Sequence, residues 1–307
     1  MGISRTVLLK ASESRWLANH LPQYPFARKA VRRFMPGESA EDALRECVVL
    51  QSAGIATVLT RLGENTTRLE EAASVTTHYL EVLREIRQRK LPTHASVKLT
   101  QLGLDIDSAH ALQSVQTLMQ AATPEPIWID MEGSRYTSAT IELFLAARET
   151  GINVGLCIQS YLRRTQADLN ALLTRTTALR LVKGAYQEPI EVAFDKKSAV
   201  DANYLACARI MLERAAHEVI GHPPAFATHD VAVIRKITAL ADQIGVGRDR
   251  YEFQLLYGIN TSEQLRLARA GYRVRVLISY GDAWFAWYMR RLAERPANVL
   301  FLVKNLL

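Results

Sequence analysis

Apolar residues recur along this chain in two alternating rhythms. Short runs dense in branched aliphatic side chains alternate with longer stretches whose apolar positions fall three and four apart, the spacing of one helix face. The short runs are Ile55–Leu62, His94–Leu99, Ile127–Met131, Val154–Ile158, Leu179–Val182, Ala225–Ala227, Tyr251–Leu256 and Tyr272–Ile278. Several are apolar almost without interruption, as expected of parallel strands covered on both faces. Helical spacing covers Leu69–Arg89, Ser108–Gln120, Ser138–Glu149, Arg164–Arg175, Lys196–Ile220, Ala232–Ile244 and Ser262–Arg269, with one more helix, Glu38–Ala53, ahead of the first strand. Such strand–helix units repeated over about 250 residues predict an α/β fold, a (βα)8 barrel.

The last unit, YRVRVLISYGDAWFAWYMRRLAE, carries the most suggestive chemistry. A strand through Val274, Val276 and Ile278 leads into a Tyr280-Gly281-Asp282 turn and then an aromatic-rich helix. On that helix Arg290 and Arg291 form a fork suited to a carboxylate or phosphate, because planar guanidiniums grip an anion at two points. Glu294, one turn on, is spaced to hold at least one of them. A solvated face with an intrahelical ion pair fits these residues equally well on their own. Polar groups also gather at the ends of the other strands: Lys98, Asp130 and Glu132, Gln159, Arg180 with Lys183 and Tyr186, Thr228-His229-Asp230, and Glu252 with Gln254. In a barrel, reactive residues sit at those C-terminal ends. Any one could be half of a structural ion pair; packing alone does not explain so many.

Composition narrows the class. A chain of 307 residues, 49% hydrophobic and 22% charged, suits one globular core. Cys47, Cys157 and Cys207 are far apart and form no CxxC pair, which argues for a reducing, cytoplasmic setting. The seven histidines show no HxH or HExxH spacing, so no metal site is expected. There is no GxGxxG after a strand and no GxxxxGK[ST], which disfavours a dinucleotide-binding open sheet. The net charge of +7 is concentrated: residues 1–36 hold Arg5, Lys10, Arg15, Arg28, Lys29, Arg32 and Arg33 against Glu13 alone. A basic arm beside a neutral body suits anionic lipid or an acidic partner, and equally a solvated helical lid. No aromatic RNP pattern, zinc finger or long basic helix points to nucleic acid. The chain therefore divides into residues 1–50, a basic helical arm, and 51–307, a barrel domain.

SVKLTQLGL, IDMEGSRYT, IQSYLRRTQADL, RLVKGAY, FATHD, EFQLLYG and the YG…MRRLAERPAN ending together resemble the proline dehydrogenase family, its small monofunctional bacterial members above all. The resemblance runs from about residue 35 to the C-terminus. It implies a distorted (βα)8 barrel with the final helix over the active site, FAD as cofactor, and oxidation of L-proline to 1-pyrroline-5-carboxylate. It also implies a quinone-type acceptor, which gives the basic arm a task at the inner face of a membrane. Matched residue by residue, it assigns the substrate carboxylate to Arg290, Arg291 and Lys98, with Glu294 orienting the arginines. Asp130 matches an active-site aspartate that pairs with Lys98 or neighbouring cations, and Arg180 an arginine beside the flavin N5. Gln159, Val182, Lys183, Gly184, Ala185, Thr228 and His229 match flavin contacts. Tyr186 and Leu256 match the wall around the pyrrolidine ring.

Two positions depart from the pattern. Where relatives place a tyrosine whose hydroxyl lies near the ring, this chain has Leu277, and Ser279 replaces a proline. Loss of that hydroxyl would loosen selectivity toward hydroxyproline, pipecolate or another cyclic amino acid, unless a neighbour compensates. Two other classes remain open on the residues alone. One is a Schiff-base aldolase using Lys183 or Lys98; the other is a non-catalytic barrel that binds through its basic arm.

Overall fold

The computed structural model describes residues 31–151, 153–173, 178–217 and 222–294, together with Ser14, His20 and Tyr24; of residues 293 and 294 only the backbone is described. The basic arm over residues 1–30 and the chain after Glu294 lie outside this description, apart from those three residues.

Eight strands close a barrel in sequence order: β1 (Ala56–Arg61), β2 (Thr93–Val97), β3 (Ile127–Ile129), β4 (Val154–Gln159), β5 (Ala178–Val182), β6 (Ala225–Ala227), β7 (Glu252–Leu256) and β8 (Arg273–Tyr280). Every pairing is parallel, and β8 returns to β1 along Ala56–Arg61. The described helices are α1 (Ala40–Ser52), α2 (Leu69–Gln88), α3 (Ser108–Ala122), α4 (Thr137–Arg148), α5 (Thr165–Leu172), α6 (Lys197–His217), α7 (Val231–Ile244), α8 (Thr261–Arg269) and α9 (Trp284–Glu294). Strand and helix bounds depart from the periodicity by a few residues. The main difference is at β8, which runs on through Tyr280 because its register with β1 continues to Arg61 and the Leu62 N–H donates to the Tyr280 carbonyl. The turn predicted at Tyr280 therefore begins one residue later, at Gly281.

Local chemistry sets several helix starts. Ser39 and Asp42 form a reciprocal capping box at α1, and the carboxylates of Asp107 and Asp230 accept the first free N–H groups of α3 and α7. Each such cap is worth about 1 kcal/mol. Gly245 ends α7 in the left-handed region that few other residues enter without strain.

Three of the apolar clusters among the described residues position the site. The largest lies between the outer face of the strands and the helices, and includes Ala43, Leu44 and Cys47 of α1. The arm-to-barrel boundary expected at residue 50 thus falls inside a helix that packs in this core. A small cluster inside the barrel joins Val58, Trp128, Ala178 and Ala225, with Leu277 against it. The third holds α9: Trp284, Phe285, Trp287, Tyr288, Met289 and Leu292 pack on Leu62, Val31, Phe34 and Met35. The Trp284 indole N–H donates to Glu38 at 3.1 Å, so the end of the arm and the final helix are tied together. No helix among the described residues is long and apolar enough to cross a membrane.

Candidate active site

Side chains alternate across a strand, and the barrel registers pair His94 with Val58, Ser96 with Trp128, Trp128 with Gly155, Arg180 with Ala225, Gln254 with Arg275 and Leu277 with Val58. These residues share the inner face. They make that face unusually polar for a barrel, whose interior is ordinarily filled by branched apolar layers.

Arg180 is at its centre. Its side chain is 2% exposed, and Nη2 pairs with the Asp130 carboxylate across the barrel and donates to the Ser96 hydroxyl at 3.0 Å. Nη1 donates to the Gln254 carbonyl oxygen at 3.3 Å, and the guanidinium lies 5.1 Å from the Trp128 ring centroid. Gly155 leaves room for that ring, since a Cβ there would sit 2.6 Å from it. Burial opposes the charge on Arg180, but Asp130, Cys157 and Glu252 together outweigh it and keep the guanidinium above its ordinary pKa. Lys98, also buried, approaches Asp130 at 3.9 Å. Lys98, Asp130 and Arg180 are thus brought together as the sequence suggests. Glu132 turns instead to the Thr100 N–H and hydroxyl, at 3.1 and 2.6 Å, and burial raises its pKa.

Beneath Arg180 the polar interior continues to the floor. Gln254 donates to Glu252 at 2.8 Å, and Arg275 donates to the same carboxylate at 3.0 Å and to the carbonyls of Thr57 and Pro92. Nearby, the Trp128 indole N–H donates to His94 Nδ1 at 3.0 Å, while His94 Nε2 meets Glu125 at 2.8 Å. An indole N–H can only donate, so Nδ1 must accept and the neutral ring carries its proton on Nε2. Burial, with Arg275 nearby, lowers the His94 pKa to about 4, so the Glu125 contact is a hydrogen bond from a neutral ring at pH 7.

At the mouth, α9 brings Arg290 over the Tyr186 ring, 5.4 Å from its centroid. Both guanidinium nitrogens face Glu64, at 2.6 and 3.4 Å, and the Tyr186 hydroxyl reaches the same carboxylate at 3.4 Å. Arg290 therefore pairs with a residue just past β1, the one strand end that the sequence reading passes over. Its signal is plain once the barrel is known, because β1 must also end at the reactive face. Arg291 is half-buried beside it; the side chain of Glu294 lies outside the described residues.

The flank of the mouth is formed by β4, β5 and β6. Val182, the last residue of β5, and Lys183, Gly184, Ala185 and Tyr186 after it form a half-buried stretch. Lys183 donates to Asp201 at 2.5 Å and to Asp230 at 3.0 Å, and Lys197 pairs with the same two carboxylates. Burial works against the Asp230 charge, yet its hydrogen bonds from Lys197 and Lys183 hold its pKa well below the usual range. Gly184 has φ +114°, and a Cβ there would meet the Tyr161 ring at 2.2 Å. The glycine is thus required by Tyr161 and by its own backbone. Gln159 donates to the Met131 carbonyl, and its side-chain oxygen is buried with no hydrogen-bond partner among the described residues. The Thr228 hydroxyl accepts the Asp230 N–H, and the carbonyl of His229 accepts from Asn260. Leu256 and Leu277 are half-buried neighbours in the β7–β8 register, so both face the interior near the mouth.

The family model described as proline dehydrogenase matches residues 43–304. The chain belongs to the proline dehydrogenase family. It is 35% identical to proline dehydrogenase 2 of Bacillus subtilis subsp. natto over 308 residues, covering 100% of this chain and 99% of that protein. It is 33% identical to proline dehydrogenase of Deinococcus radiodurans, covering 90% of this chain and 89% of the relative. Among solved structures, proline utilization A (PutA) from Bdellovibrio bacteriovorus, inactivated by N-propargylglycine, superposes with a TM-score of 0.80 at 24% identity. That match covers 95% of this chain and 36% of the PutA chain, and it shows the barrel fold. The chain is accordingly an oxidoreductase of the proline dehydrogenase family, with the polar strand ends as its candidate active site.

Proposed function

We propose that this chain is an FAD-dependent enzyme that oxidises L-proline to 1-pyrroline-5-carboxylate, the first step of proline degradation to glutamate. The observation that carries the reading is the inward-facing array of Lys98, Asp130 and Arg180 beneath a helix that presents Arg290 and Arg291, in a chain related to proline dehydrogenases over its whole length.

The residues present suit a flavin at the β4–β6 flank. The half-buried stretch Val182–Tyr186 borders the mouth, and the Gln159 side-chain oxygen is a buried acceptor still to be used. Gln159, Arg180, Val182, Lys183, Gly184, Ala185, Thr228 and His229 would hold the cofactor. When bound, FAD supplies the hydride acceptor, at its N5. Arg180 places a fixed positive charge where electron density builds, and Asp130 fixes the direction of that charge.

Arg290, Arg291 and Lys98 bind the substrate carboxylate. Arg290 exchanges its Glu64 partner for the substrate, so the pocket is prepaired rather than bare. Glu294 is assigned to orienting the arginines. Tyr186, Leu256 and Leu277 enclose the ring and exclude water. The ring amine would first give one proton to solvent and become neutral; hydride would then pass from the adjacent ring carbon to the bound FAD, and loss of the remaining nitrogen proton to solvent would leave the cyclic imine. A quinone-type acceptor then takes the electrons, and the basic arm rests on an anionic membrane. Deleting residues 1–30 should weaken liposome binding; unchanged binding removes the membrane contact.

A second reading keeps the chemistry and changes the substrate. It is favoured by Leu277, whose side chain faces the interior beside Val58, Trp128, Ala178 and Ala225 and brings no hydroxyl to the ring. Lys183, donating to two carboxylates, has the surroundings of a structural cation rather than of a Schiff-base nucleophile. Trapping the imine as its coloured o-aminobenzaldehyde adduct ranks the substrates. L-Proline is expected to give the highest kcat/KM, whereas preference for hydroxyproline or pipecolate would move the function to that substrate.

A further inference from the structure

Gln254 and Glu252, expected at a strand end, are the middle and the first residue of β7; they have no task in the reaction described above, yet both are almost fully buried inside the barrel. Their hydrogen bonds run in one direction. Glu252 is held ionised: burial raises its pKa, but its neighbours, the Arg275 guanidinium first among them, bring it below the ordinary value. An ionised carboxylate only accepts hydrogen bonds. Gln254 must therefore turn its NH2 toward Glu252, at 2.8 Å, and its carbonyl oxygen toward Arg180, at 3.3 Å. Arg275 in turn cannot swing away from Glu252, because its Nη1 is anchored by the carbonyls of Thr57 at 2.8 Å and Pro92 at 3.1 Å. The order along these contacts is cation, anion, oriented amide, cation, anion: Arg275, Glu252, Gln254, Arg180, Asp130.

We infer that Gln254 is a positioning residue for the oxidation, with Glu252 and Arg275 as its support, and that it fixes the guanidinium of Arg180. Asp130 and Ser96 hold Nη2 of Arg180 from β2 and β3, while Gln254 holds Nη1 from β7 on the opposite side of the barrel. With three strands gripping two nitrogens, the guanidinium plane has one setting over Trp128. Loss of Gln254 leaves Nη1 without that acceptor and lets the guanidinium turn toward Asp130, away from the place where charge develops. An amide suits this position better than a second carboxylate, because it links the two ion pairs without adding a like charge beside Glu252.

The inference rests on the flavin reading above, and its test separates the two. In the FAD-loaded enzyme, Gln254→Met should lower kcat for L-proline about tenfold with KM changed less than about twofold, since the carboxylate is gripped elsewhere. The midpoint potential of the bound flavin should fall by about 30 mV, a tenfold change in a two-electron equilibrium, which a merely structural role would not produce. Unchanged kcat and potential would overturn the inference. If Gln254→Met does not fold, the pair Gln254→Glu and Gln254→Glu/Glu252→Gln decides. The double variant keeps one carboxylate and one amide between the two arginines and is expected to fold, whereas the single variant sets two carboxylates side by side and is expected to be destabilised. Equal behaviour of the two would overturn the inference as well. A wild-type chain that takes up no FAD would defeat the flavin reading alone. Crystal structures of wild type and variant would then judge the positioning, through displacement of the Arg180 guanidinium by about 1 Å or none.

Discussion

Arg180 and Arg290 are both arginines paired with a carboxylate at one end of one barrel, yet their surroundings differ in kind. Arg180 is sealed inside, held from three strands, with its partner reached across the barrel. Arg290 is less deeply buried and rides on a helix that has its own small apolar cluster, and its partner Glu64, on a loop, is part-buried to the same degree as Asp130. In a low-dielectric interior a charge pair is kept by geometry and is costly to break. At the mouth the pair is held by one helix and one loop rather than by three strands, so the arginine can exchange its partner for a ligand carboxylate. The interior therefore fits a fixed electrostatic field, and the mouth fits recognition of an anion that comes and goes.

The sharpest way to break this contrast is Arg275→Met, which leaves Glu252 buried without its cation. A loss of about 3–5 kcal/mol is expected in urea denaturation. A loss below about 1 kcal/mol would mean that the interior charges are no more committed than surface ones. Next is Arg290→Ala: with a charge-assisted pair removed, KM for L-proline should rise about a hundredfold while the urea midpoint stays close to that of wild type. Destabilisation as large as that of Arg275→Met would erase the distinction.

A pH series sharpens the same contrast. His94 has its folded pKa lowered to about 4 from 6.5, so the unfolded chain binds the extra proton first. Its contribution to stability is complete above pH 6.5 and is lost progressively as pH falls toward 4. Denaturation midpoints should decline over that window, and His94→Gln should flatten the slope; an identical slope would assign it to other groups. The smallest effect is expected from Glu64→Gln. Removing the internal competitor of Arg290 should tighten binding of a proline-like carboxylate inhibitor a few-fold, about 1 kcal/mol, with little change in stability. Weaker binding would make Glu64 an orienting group instead.

Much of the fold was legible because a parallel barrel repeats one local rule. The apolar run Val154–Ile158 and the helical spacing of Ala232–Ile244 each specify their element without reference to the rest. The candidate site was legible where a strand end places a polar group by alternation, as at Lys98, Asp130 and Arg180. It was illegible where the partner comes from elsewhere. Glu64 reaches Arg290 across 226 positions of sequence, and Ser96 and Gln254 reach Arg180 across 84 and 74. Gly184 was noticed, but the constraint that the Tyr161 ring adds there is one that no spacing rule connects to it.

The most direct measurement is an anaerobic visible spectrum of the FAD-reconstituted chain before and after addition of L-proline. The account predicts loss of the oxidised flavin absorbance on mixing, with Arg290→Ala requiring far more L-proline for the same bleaching. A chain that binds no flavin, or a bound flavin that neither L-proline nor a related cyclic amino acid reduces, would contradict it.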